Sequence, residues 1–201
     1  MQPLIGIFGG TFDPPHIGHL VLAAEARAQL GLDRLLWVLT PNPPHKQNRK
    51  ITLIEHRLAM VRLAISDDPQ FELSTVELDR PGPHYAVDTV KKIQDLNPGA
   101  GLVYLMGGDS LHDLPSWYRP ADFLVACQTI GVMRRPGDEI GLQVLEQALP
   151  GLHSKVRWVE APLLDISARE VRNRIAEGRP FRYFLSPEVY DYITANDLYS
   201  K

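Results

Sequence analysis

Two glycines and two histidines fall within one short stretch, Gly9-Gly10-Thr11-Phe12-Asp13-Pro14-Pro15-His16-Ile17-Gly18-His19. The chemistry these residue types serve is anion binding. Glycines let the backbone approach a ligand closely and adopt positive φ. Imidazoles add donors at the same spot, cationic or neutral near physiological pH. At the start of a helix, N–H groups outside the helical ladder attract phosphate above all. The spacing His16-x-x-His19 also resembles a metal pair on a helix, but a lone i, i+3 pair without a third ligand nearby is weak support for zinc. The plain alternative is a pair of helix-start histidines that cap or pack.

A second cluster is Gly107-Gly108-Asp109-Ser110, whose carboxylate suits ribose hydroxyls or, failing that, an N-cap. Ser167 with Glu170 forms a capping-box pattern. Lys46 lies in a basic loop, Trp117 suits either a core or a ligand platform, and Arg134 and Arg135 follow an apolar run. Neither G-x-x-x-x-G-K-[ST] nor G-x-G-x-x-G occurs, which argues against a P-loop NTPase and a dehydrogenase fingerprint.

The elements that must position these groups alternate. Apolar strand-like runs cover residues 4–8, 35–39, 71–76, 102–106, 129–133 and 156–159. Helical patterns cover 20–30, 52–64, 85–96 and 140–149, the second opening on an apparent capping box, Thr52-Leu53-Ile54-Glu55. Two further helices, 167–178 and 186–196, each start at a serine N-cap, with Pro187 at the first position of the latter. Strands alternating with helices predict a doubly wound parallel α/β sheet. In strand order 3-2-1-4-5 the loops after strands 1 and 4 flank the topological switch point, where such sheets bind ligands. That brings both glycine pairs, both histidines and Asp109 around one crevice.

The bulk numbers narrow the class. The 201 residues fit one domain, 1–201, with a C-terminal helical part from about 166. A formal net charge of −3 argues against a nucleic-acid coat or a polybasic membrane binder. A single cysteine, Cys127, permits no internal disulfide and suits a reducing compartment. No signal-peptide pattern and no bilayer-length apolar run is visible, so the expectation is a cytoplasmic protein. Oligomeric state is not readable.

These residues carry a resemblance. Residues 9–19 resemble the H-x-G-H signature of a nucleotidyltransferase superfamily, and Ile166-Ser167-Ala168-Arg169-Glu170-Val171-Arg172 resembles its second signature, I-S-S-T-x-x-R. Pro43-Pro44-His45-Lys46, Tyr85-Ala86-Val87-Asp88-Thr89, Gly107-Gly108-Asp109-Ser110, Trp117-Tyr118 and Arg135-Pro136-Gly137 resemble the bacterial nicotinate-nucleotide adenylyltransferase family. Ala168 and Arg169 depart from the second signature at its hydroxyl positions.

The resemblance implies a Rossmann-like fold of the nucleotidyltransferase type and AMP transfer from ATP to nicotinate mononucleotide, with Mg²⁺ arriving on ATP. It implies that Gly9, Gly10, Thr11, Phe12, His16, His19, Gly107, Asp109, Arg135, Ser167 and Arg172 bind ATP. Asp13, His45, Lys46, Thr89, Trp117 and Tyr118 would bind nicotinate mononucleotide, with backbone amides near Thr89 and Tyr118 on its carboxylate. His16, His19, Lys46 and Arg172 would carry catalysis, and no protein-held metal is implied. Rival readings are the same chemistry on nicotinamide mononucleotide or phosphopantetheine, a nucleotide-binding regulator without turnover, and a zinc hydrolase.

Overall fold

The computed structural model describes residues 2–41, 51–134 and 141–200. Six strands form one sheet: β1 (Leu4–Gly10), β2 (Arg34–Leu39), β3 (Phe71–Ser74), β4 (Gly101–Gly107), β5 (Thr129–Arg134) and β6 (Val156–Glu160). Their order is β3-β2-β1-β4-β5-β6, and every pairing is parallel. The strands are continuous apolar runs because both faces of a parallel sheet are covered. One face packs Ile5, Ile7, Val38, Leu102, Ile130 and Val132 under the helices that follow β3 and β4. The other packs Phe8, Leu35, Trp37, Val103 and Leu105.

The crossovers carry the helices α1 (Ile17–Leu30), α2 (Ile54–Ala64), α3 (Ala86–Leu96), α4 (Gly108–Asp113), α5 (Pro120–Ala126), α6 (Leu142–Ala148) and α7 (Leu152–Lys155). Then come α8 (Ala168–Ala176) and α9 (Pro187–Ala195). These last two pack on α2 through Met60, Val171, Leu185, Val189 and Ile193. Ser167 and Ser186 cap them as the sequence predicts, accepting from the amides of Glu170 at 3.2 Å and Val189 at 3.4 Å. No helix among the described residues is long and apolar enough to cross a membrane.

Two local expectations change. Thr52 does not open a capping box; α2 begins at Ile54 with Leu53 as its cap. The Thr52 segment is instead held by tertiary bonds: its N–H donates to Asp13 Oδ2 at 3.4 Å and its carbonyl accepts from Arg57 Nε at 3.0 Å. The strand expected over 71–76 stops at Ser74, where the chain turns and Leu78 N donates to Thr75 O at 2.7 Å.

The switch point lies between β1 and β4, where Phe8 pairs with Leu105. The crossovers leaving these two strands run in opposite directions along the sheet. Their first residues, 11–16 after β1 and the start of α4 after β4, therefore border one crevice.

Candidate active site

His16 is the N-cap of α1, in extended backbone, and only 8% exposed. Its N–H donates to His19 Nδ1 at 3.1 Å. That bond places the His19 proton on Nε2, leaving a neutral ring with a donor on its far side. Burial lowers the His16 pKa to about 4, so this ring is neutral too. The two rings lie 3.7 Å apart at 32°, a separation two imidazolium ions would oppose. Two neutral rings offer hydrogen-bond donors rather than a cation cluster. His19 and Leu20 direct their amides to His16 O, which leaves the Ile17 and Gly18 amides outside the helical ladder.

Phe12 supports this arrangement from below. Its ring is buried, edge-on to His19 at 5.2 Å and to Phe8 at 5.6 Å. The positive φ expected of the glycines falls instead on Phe12, at 47°. Gly10 is extended and serves differently. The Phe12 ring folds back so closely that a Cβ on Gly10 would lie 2.7 Å from it. Gly18 is similarly overlain, by the His16 ring at 3.1 Å.

A cavity of about 570 Å³ opens at this point. Gly9, His16, Gly18, His19, Gly107, Asp109, Ser110 and Ser167 contribute to its wall. Gly107 caps α4, so Asp109 sits in that helix's first turn rather than as its N-cap. A second cavity of about 490 Å³ is lined by His84, Tyr85, Ala86, Tyr104, Asp113, Ser116, Trp117 and Tyr118. It shares Asp109 and Ser110 with the first. Trp117 is held by edge contacts to Tyr104 at 6.2 Å and Phe123 at 5.4 Å. Tyr118, 51% exposed, stacks on Tyr85 at 4.1 Å and 24°.

Several residues expected at the ligands make protein contacts in this geometry. Thr89 does not line the second cavity: its amide donates to Tyr85 O at 3.1 Å, and its hydroxyl donates to Glu77 Oε1 at 2.6 Å. The amides at the start of α3 outside the ladder are those of Ala86 and Val87, and Ala86 lines the cavity. Asp13 is buried away from both cavities, accepting from Tyr199 Oη at 2.8 Å on Oδ1 and from the Thr52 amide on Oδ2. Burial, with the aspartate beside it, holds the Tyr199 hydroxyl well above its ordinary range. Arg172 also turns inward, donating from Nη1 to Asp13 O at 2.5 Å. Gly10, Thr11 and Phe12 are not among the residues lining the first cavity. His45, Lys46 and Arg135 fall outside the described residues.

The residue that sequence reading misses is Arg57. It is 3% exposed and reaches four carbonyls: Thr11 O (3.1 Å), Thr40 O (2.9 Å), Pro41 O (2.9 Å) and Thr52 O (3.0 Å). It thereby ties the chain after β1 to the chain after β2. Burial lowers its pKa, with Asp13 opposing that shift. Its only sequence signal is position, one charge on the side of α2 that carries Met60 and Val61 into the core.

Against known proteins, the chain matches the cytidylyltransferase-like family over residues 7–174. It is 45% identical over 195 residues to a Thermomicrobium roseum protein named probable nicotinate-nucleotide adenylyltransferase, covering 97% of this chain and 91% of that one. The nicotinate-nucleotide adenylyltransferase of Bacillus subtilis is 40% identical over 195 residues, 97% of each chain. The solved Plasmodium falciparum nicotinic acid mononucleotide adenylyltransferase complexed with NaAD aligns over 98% of both chains with a TM-score of 0.78 at 21% identity, a likeness of fold.

Proposed function

The chain belongs to the cytidylyltransferase-like family and, within it, to the nicotinate-nucleotide adenylyltransferases, and from that premise we propose how its crevice works. The reaction is AMP transfer from ATP to nicotinate mononucleotide, giving nicotinate adenine dinucleotide and pyrophosphate in NAD biosynthesis. The observation that carries the reading is the pair of cavities meeting at Asp109, one lined by imidazoles and helix-start amides, the other by aromatic rings.

The acceptor's phosphate is already ionised at neutral pH, so no side chain must act as nucleophile or strong base. Catalysis then reduces to alignment and charge stabilisation. His16 and His19 donate to the triphosphate as negative charge moves toward pyrophosphate, aided by the Gly9 backbone and the amides of Ile17 and Gly18. Ser167, at the start of α8, takes the far end of the triphosphate, where the helix dipole helps. Asp109 accepts from the adenosine ribose beside Gly107, and Arg135 is a further ATP ligand. Lys46 brings a cation to the reacting phosphates, with His45 next to it. Trp117 and Tyr118 hold the pyridine ring, and the amides of Ala86 and Val87 face its carboxylate. Arg172, Asp13, Thr11, Gly10 and Phe12 keep the crossover in shape.

Mg²⁺ on ATP neutralises part of the triphosphate charge. The described residues include no group of three or more His, Cys, Asp or Glu able to hold a metal, and Asp109 is the one carboxylate among those of the first cavity. That donor set fits an ion bound mainly by phosphates and water. A cytoplasmic setting belongs to the same reading.

The test is pyrophosphate release by purified protein with Mg²⁺. Release requires both ATP and nicotinate mononucleotide, exceeds that with nicotinamide mononucleotide, and falls about 10²–10³-fold in kcat for His19→Ala. ATP binding with no turnover on any acceptor, or unchanged kcat in the variant, contradicts the reading.

A further inference from the structure

Three residues outside the wall of the aromatic cavity control the segment that builds it. Thr89 is 1% exposed and Glu77 6%. The single hydroxyl proton of Thr89 goes to Glu77 Oε1 at 2.6 Å, and its oxygen accepts from Arg80 Nη2 at 2.9 Å. The same guanidinium reaches Pro83 O at 3.3 Å and Tyr85 O at 3.4 Å. One guanidinium and one buried carboxylate, joined through the Thr89 hydroxyl, thus tie the loop before α3 to the helix's first turn, while Glu77 Oε2 and Arg80 Nε find no hydrogen-bond partner among the described residues. Tyr85 O is also the point on which the amides of Asp88 and Thr89 converge. The Tyr85 ring in turn backs Tyr118. Both sides of the cavity, the Ala86 amide and the Tyr118 ring, therefore inherit their place from this network.

Such a network is a costly way to hold a helix if stability were its only role. Burying a carboxylate and a hydroxyl against a half-buried guanidinium gains little over apolar packing of the same volume. What it gains is direction: the hydroxyl can satisfy Glu77 and Arg80 together in one geometry only. We propose that Glu77, Thr89 and Arg80 are positioning residues for the acceptor, holding the first turn of α3 so that its outward amides meet a pyridine carboxylate and reject a carboxamide. The proposal rests on the reading of nicotinate mononucleotide as acceptor. An amide hydrogen pairs well with a carboxylate oxygen but clashes with a carboxamide NH₂, so a small tilt of this turn erodes the preference.

The full-length enzyme tests this through Thr89→Val and Thr89→Ser. The valine variant keeps the shape and loses the hydroxyl. It raises KM for nicotinate mononucleotide about ten-fold or more and lowers the acid-to-amide ratio of kcat/KM by a similar factor. KM for ATP stays within about two-fold, and the serine variant restores both acceptor values. Should Thr89→Val fail to fold, Arg80→Lys, which keeps the charge but loses the planar fork, gives the same split between substrates. An unchanged acid-to-amide ratio, or equal rises in both KM values, overturns the network. Wild-type protein that transfers nothing to nicotinate mononucleotide overturns the acceptor reading instead, so the two failures are distinct.

Discussion

Burial holds the His16 imidazole at about 4, and this has a consequence for stability. Between pH 6.5 and about 4 the unfolded chain binds a proton at His16 that the folded chain does not. Stability therefore falls as pH drops through that window, by up to about 3 kcal/mol, and is regained above it. Urea denaturation at pH 7.5 and 4.5 checks this: His16→Gln flattens the dependence, and parallel curves for wild type and variant contradict it. At this scale the sequence was informative about residue type and less so about occupancy. The glycine and histidine spacing pointed to a helix start beside the crevice, and in the structure both imidazoles line the first cavity, the His19 ring accepting from the His16 N–H at the N-cap. Thr89 and Asp13 take protein partners that the sequence does not announce, because a hydroxyl or carboxylate that serves the protein reads the same as one that serves a ligand. Only the partners, Glu77 for one and Tyr199 for the other, separate the cases.

Among elements, the strands were legible because a parallel sheet covered on both faces demands unbroken apolar runs. α4, α5 and α7 were not read from the sequence, each spanning about two turns at most; α6, seven residues like α5, was read because Pro150-Gly151 closes its pattern. The start of α2 followed tertiary bonds over its local capping pattern. Arg57 explains that outcome, since it gathers carbonyls from the chain after β1, the chain after β2 and the approach to α2. Arg57→Met leaves these acceptors without a buried donor and costs about 3 kcal/mol or more, read from the urea midpoint at constant m. It also lowers kcat, because Thr11 belongs to the crossover that carries His16. A variant as stable and as active as wild type contradicts the clamp.

On the scale of the whole molecule, strand order alone brings the two halves of the site together. β1 and β4 are adjacent though separated by about 90 residues in sequence, and the loops leaving them share the crevice at Asp109. Alternation in the sequence was enough to place that crevice, since right-handed crossovers leave few other topologies. What alternation could not supply is how the C-terminal helices close on α2 and return Tyr199 to Asp13, a contact spanning 186 residues. On the proposed function, the crevice holds two nucleotides in line and lets one displace the other's pyrophosphate with no enzyme-bound intermediate. The most direct measurement uses ATP of a single configuration carrying sulfur at the α-phosphorus, with nicotinate mononucleotide as acceptor. A dinucleotide product with inverted configuration at that phosphorus is the expected result, and retention, the mark of a covalent adenylyl-enzyme, would contradict it.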